Sequence, residues 1–247
     1  MEVKTEPAGR LFDILQEARS KPEQHKVRKV WAEVFGLQEN DTGTILRMIA
    51  DLIQLTYKTK SQIEALDDVD HLLYLKPFQK IERMFSNINL EAPWQGCKNQ
   101  IDEPTIYGLQ FCSDKLNRNT KITALKDMEL EQIKKSLTEL SDMITGSSLE
   151  PSLQLLLLRN IESLRQALIA YKIKGIDGIE TELELNLGSL VLNKEKIKAS
   201  VEKDNSGGVF KKYLKLLDGL NKTVSTAKKV DQLTGNTLSK LLGVNDS

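Results

Sequence analysis

Between Ser148 and Tyr171 the apolar residues Leu153, Leu157, Ile161, Leu164, Leu168 and Tyr171 recur at spacings of four, four, three, four and three. Steps of three and four return side chains to one face of an α-helix, so the stretch predicts a helix with a buried face. Pro151 suits its first turn, where a missing N–H leaves no bond unmade. Leu155, Leu156 and Leu158 widen the apolar surface almost all round, the pattern of a helix covered on several sides.

Similar patterns fill the N-terminal half. Leu11, Ile14, Leu15 and Ala18 predict a short amphipathic helix ended by Ser20-Lys21-Pro22. A second helix is expected from Pro22, with Val27, Val30, Trp31, Val34 and Phe35 on one face and a left-handed stop at Gly36 followed by apolar Leu37. Asp41 or Thr42 caps a longer helix in which Ile45, Ile49, Leu52, Ile63 and Leu66 follow a seven-residue repeat, interrupted by polar Thr56 and Thr59. The turn at 67–71 caps a segment with Leu72, Leu73 and Leu75, and Pro77 restarts it as a helix bearing Phe78, Ile81, Met84, Phe85 and Ile88. Residues 89–103 have no period, and their Pro93, Gly96 and Asn/Asp content predict a loop. Pro104 then begins a helix with Ile106, Tyr107, Phe111 and Leu116, closed by Asn117-Arg118-Asn119-Thr120.

In the C-terminal half, Leu130, Ile133, Leu137, Leu140 and Ile144 mark one face of a helix over 123–145, and Gly146-Ser147-Ser148 separates it from the apolar helix described first. Short helices are expected over 176–187 and 193–202, with 185–192 the nearest approach to a strand. After a loop at 204–208, Phe210, Tyr213, Leu217, Leu220, Val224 and Ala227 step by three and four along a final helix. Gly235-Asn236 ends it, and Leu238, Leu241 and Leu242 make a last apolar turn. The fold class expected is all-α: an irregular bundle of about eight to ten helices with no significant sheet. Three regions are expected: 1–145, a central core at 146–204, and a helix pair at 205–247 after a Ser-Gly-Gly linker, with a single domain as the alternative.

Composition supports helix over sheet, because only 5% of residues are aromatic and 6 are proline. The 35 basic and 35 acidic residues cancel, which excludes a global attraction to nucleic acid or anionic membranes. Locally the tail is basic, with eleven lysines against five carboxylates between Lys194 and Lys240. Combined with the apolar stripe, this allows peripheral membrane contact through residues 209–242. No secretory h-region opens the chain, and its two cysteines, Cys97 and Cys112, make no disulfide scaffold. A reducing, cytoplasmic location with free thiols is expected. Cys112 is expected in core and Cys97 exposed in its loop.

Candidate chemistry is sparse. His25 reads as a surface residue, and His71 follows Asp67, Asp68 and Asp70 in a cluster that helix capping explains without a metal. No phosphate-binding, dinucleotide or nucleophile-elbow motif occurs. Gly175-Ile176-Asp177-Gly178 has the glycine spacing of a nucleic-acid-clamping GXXG loop, but Asp177 repels phosphate and no strands flank it. A tight helix connection with left-handed glycines is expected there. No catalytic residue, metal or cofactor is implied. The expected function is non-catalytic: a helical protein–protein interaction protein, an accessory or regulatory subunit of a bacterial multi-component system such as stress response, toxin–antitoxin or phage defence. Its partner is a second protein or a further copy of the chain. The contact residues expected are loop Trp94, as an aromatic anchor, and the stripe Phe210, Tyr213, Leu217, Leu220 and Val224. The alternatives are a membrane-acting effector using the basic C-terminal helix, and a metal-dependent enzyme built on the acids around His71.

Overall fold

The computed structural model describes residues 3–118, 122–203 and 207–228. Every regular element among them is a helix, so the fold is all-α, as the periodicity predicts. The expected features at Asn119-Thr120, 204–206, Gly235-Asn236, Leu238, Leu241 and Leu242 lie outside the described residues. The chain forms two compact units. Among the described residues, the first takes 3–118 with 172–175, and the second takes 122–171 with the remainder. The boundary expected near Gly146 falls inside the second unit.

In the first unit run α1 (Pro7–Arg19), α2 (Val27–Phe35), α3 (Thr42–Glu64), α4 (His71–Tyr74), α5 (Lys76–Ser86), α6 (Gln95–Lys98) and α7 (Glu103–Asn117). The predicted apolar positions of α1, α2, α3 and α5 are buried except Phe35, Leu66 and Ile88, which are half-buried, the last two beyond the ends of α3 and α5. Gly36 ends α2 at φ +67°, and Leu37 N–H donates to Ala32 O at 2.8 Å. Thr56 and Thr59, expected as polar interruptions, are fully buried. Their hydroxyls donate to Leu52 O at 2.9 Å and Leu55 O at 2.7 Å, which lets them sit in an apolar seam without an unpaired group.

The start of α2 differs from expectation. Residues 22–26 are not helical, and α2 begins at Val27 without a side-chain cap. The loop after α5 supplies the missing acceptors: Val27 N–H donates to Ala92 O and Arg28 N–H to Leu90 O, each at 3.0 Å. These are orphan donors of a helix N-terminus, which any helix must satisfy. In return Trp94 N–H donates to His25 O at 2.7 Å, next to a single antiparallel bridge between Lys26 and Pro93.

The second unit holds α8 (Asp127–Thr145), α9 (Pro151–Ile169), α11 (Ile176–Leu192), α12 (Lys194–Lys203) and α13 (Gly207–Lys228). The short α10 (Tyr171–Lys174) follows α9 in the chain, and its residues 172–174 belong to the first unit. Packing runs α8 on α9, α9 on α11, α11 on α13 and α13 back on α8, which closes a ring. Cross-helix bonds show that each neighbour is antiparallel. Arg165 donates to Leu137 O at 3.4 Å while Gln154 reaches Ile144 O at 3.2 Å, and Asn186 meets Tyr213 while Lys228 meets Asp177 at 2.9 Å. Lys212 lies 3.5 Å from Met143 at one end of the last pair, and Thr123 N–H donates to Ala227 O at the other. This is an up-down-up-down four-helix bundle. Residues 185–192 are helix, not strand, and Gly207 and Gly208 start α13 instead of belonging to a linker. Leu155 is 71% exposed, so α9 is covered on fewer sides than its composition predicts.

Polar side chains cross the bundle core. Tyr213 Oη donates to Asn186 Oδ1 at 2.8 Å, and Asn186 Nδ2 donates to Ser163 Oγ at 3.0 Å and Glu182 O at 2.7 Å. Burial pushes the Tyr213 phenol up, holding it protonated and a donor. Tyr213→Phe leaves Asn186 Oδ1 buried without its donor and is expected to cost about 1–3 kcal/mol. Thermal unfolding followed at 222 nm checks this.

Candidate functional site

The residues expected at a partner surface lie in the two cores. Trp94 is fully buried, its ring edge-on to Trp31 with centroids 5.4 Å apart, and Trp31 also stacks on Phe35 at 5.4 Å. The loop that carries Trp94 is fixed by its backbone bonds to 23–28, so the aromatic anchor points inward as a core side chain. Phe210, Tyr213, Leu217, Leu220 and Val224 are likewise buried, since α11 and α8 close over the stripe. The stripe therefore seals its own bundle.

Cys97, expected to be exposed, is buried, and burial pushes its thiol up to about 11. Burial, with Glu6 nearby, raises Cys112 to about 12. Thiols held this high are protonated at neutral pH and are poor nucleophiles. Asp70 caps α4 through Leu72 N–H at 3.0 Å, and Asp68 pairs with Lys115 at 2.6 Å. Among the described residues no three His, Cys, Asp or Glu side chains converge on a metal-sized site. His25 is half-buried, with Nδ1 3.7 Å from a Glu33 oxygen. Of the two glycines expected to be left-handed, Gly175 has φ +63° while Gly178 is ordinary helix in α11. The Asp177 between them pairs with Lys228.

Two surface features stand out. In the first unit, α4 packs on α7, and both expose large apolar side chains: Leu72 is 89% exposed, Leu73 61%, Tyr107 56% and Phe111 64%. The face of α7 turned inward is instead Thr105, Ile106, Leu109 and Cys112. Tyr107 and Phe111 are four apart and lie on one stripe. In the second unit, a groove of about 570 Å³ runs between α8 and α13, within the range of ligand-binding clefts. Ile133, Leu140, Met143, Leu216 and Leu220 form its apolar lining, with Glu129 and Glu139 on the α8 side and Lys212 and Lys215 on the α13 side.

Both features leave a trace in the sequence. Ile133 belongs to the predicted α8 face, but only Leu137, Leu140 and Ile144 of that face are buried within α8. The α8 stripe is thus wider than its neighbours cover. Tyr107 and Phe111 belong to a helix whose apolar residues do not fit one face, which signals an exposed pair. No protein family, curated protein or solved structure matches the chain.

Proposed function

We propose that the chain is a non-catalytic interaction protein, an accessory or regulatory subunit that docks another protein through exposed helical surface. The observation that carries this reading is the apolar stripe of α7 with its neighbour α4, where Leu72, Leu73, Tyr107 and Phe111 stand in solvent. Leaving large aromatics and leucines exposed together on adjacent helices forgoes their burial energy, and such patches mark contact sites. Tyrosine is also enriched among the residues that dominate interface energetics. The burial of both thiols and the capping and pairing of Asp70 and Asp68 agree with a role that needs no bond chemistry. Among the described residues no helix is long and apolar enough to cross a membrane, and the α13 stripe inside the bundle lends a membrane role no support.

The test compares the tagged full chain with its Tyr107→Ala, Phe111→Ala double variant in affinity capture from the native cell. Both side chains are mostly exposed, so the variant is expected to unfold within about 0.5 kcal/mol of the wild type. At least one protein captured by the wild type is expected to fall tenfold or more. Identical captured sets from two equally stable proteins would refute the reading.

A further inference from the structure

Gly219 lies in the interior of α13 and lines the groove against α8. Glycine in a helix interior is destabilising relative to alanine. Here packing at home does not require it, because a Cβ built at Gly219 meets nothing within 4 Å. Ser136 on α8 and Thr223 on α13 are also short and face the same space. Small side chains at such a position let a further helix backbone come close, at the interaxial spacing of packed helices. The α13 wall from Lys212 to Thr223 is about 16 Å long at the helical rise per residue, or three turns of an incoming helix.

The rims add direction. Glu129 and Glu139 stand on the α8 side and Lys212 and Lys215 on the α13 side, so the groove is acidic along one edge and basic along the other. These charges do not pair across the gap: Glu139 is 3.8 Å from Lys135 of its own helix, and Lys212 Nζ lies against Met143 Sδ. We propose that the α8–α13 groove receives one amphipathic helix of another protein, with an apolar stripe flanked by basic residues toward α8 and acidic residues toward α13. The inference rests on the interaction reading above and gives it a second, separate site. The apolar floor takes side chains at i, i+3, i+4 and i+7, and the rims fix which way the helix runs, since reversing it exchanges its flanks.

Three fluorescein-labelled model peptides of three to four turns serve as probes, with the same leucine stripe and with mixed, all-basic or all-acidic flanks. Anisotropy titrations use the full chain at low salt. The mixed peptide is expected to bind at least tenfold tighter than either single-sign peptide. Glu139→Lys moves the preference toward the all-acidic peptide, and Lys215→Glu moves it toward the all-basic one. Gly219→Leu fills the groove, raises the melting temperature and weakens the mixed peptide tenfold or more, so lost binding there cannot be lost folding. Preferences that ignore rim charge, full binding by Gly219→Leu, or no binding of any probe would each overturn the proposal. So would a concentration-dependent dimer that Gly219→Leu dissolves, which would assign the groove to a second copy of the chain. If the probes fail while Tyr107→Ala, Phe111→Ala still loses its captured protein, the groove inference falls and the interaction reading stands.

Discussion

Trp94→Ala is expected to destabilise the first unit by about 3–5 kcal/mol, the range for removing a large aromatic from a packed core. The side chain is fully buried, its ring meets Trp31, and Trp31 in turn stacks with Phe35 and Phe85 at 5.4 and 6.3 Å. Its removal leaves a cavity beside Trp31, the ring that all the others touch. It also weakens the hold of the 89–95 segment, whose carbonyls satisfy the N-terminal donors of α2. The effect should therefore exceed that of an isolated side chain. Trp31 and Trp94 are the only tryptophans of the chain and both lie in the first unit, so indole emission during urea unfolding follows that unit. In the variant, Trp31 remains as the reporter. Loss of a partner with a stability change under about 0.5 kcal/mol would instead make Trp94 a surface anchor.

The outcome at Trp94 shows where local pattern stops being informative. Regular helices were legible because burial on one face imposes a period, and Phe210 to Ala227 shows this fully: every residue of that predicted stripe is buried. Pattern does not say which partner covers a face. The stripe of α13 reads equally as an interface or as the seam of a bundle, and only the ring closed by α8, α9 and α11 decides for the seam. Within the segment expected as a loop, residues 90–95 take their order from backbone bonds to residues 23–28, which carry no side-chain signature, and α6 (Gln95–Lys98) is too short to impose a period. The same limit hid the groove. A wide α8 stripe and a mid-helix glycine are visible in the sequence, but their juxtaposition across two antiparallel helices is tertiary.

Arg10→Met is expected to cost the first unit about 3–5 kcal/mol, because one buried cation is removed from several carbonyl acceptors at once. Arg10 is buried, and its Nε donates to Ile173 O at 2.9 Å while Nη1 donates to Thr5 O at 2.5 Å and Lys4 O at 3.3 Å. Residues 172–175 are thereby stitched into a unit otherwise built from residues 3–118. Ile173 is fully buried, Lys172 donates to Val34 O at 2.9 Å and pairs with Glu17, and Lys174 pairs with Asp51 at 3.0 Å. Methionine keeps the apolar stem but leaves three carbonyls without their donor, and it removes a positive charge that favours the ionised form of buried Glu6. Gly175 depends on the same guanidinium. Its φ of +63° is left-handed, and a Cβ there would lie 2.9 Å from Arg10 Nη1. Gly175→Ala is expected to cost about 1–3 kcal/mol from backbone strain and the displaced arginine together. In an Arg10→Met background the clash is gone and only the strain remains, so the two losses should sum to less than additivity. Urea unfolding read by indole emission measures all three variants. Full additivity would show that the arginine and the glycine act independently, and an Arg10→Met loss under about 1 kcal/mol would show that the stitch holds without its guanidinium.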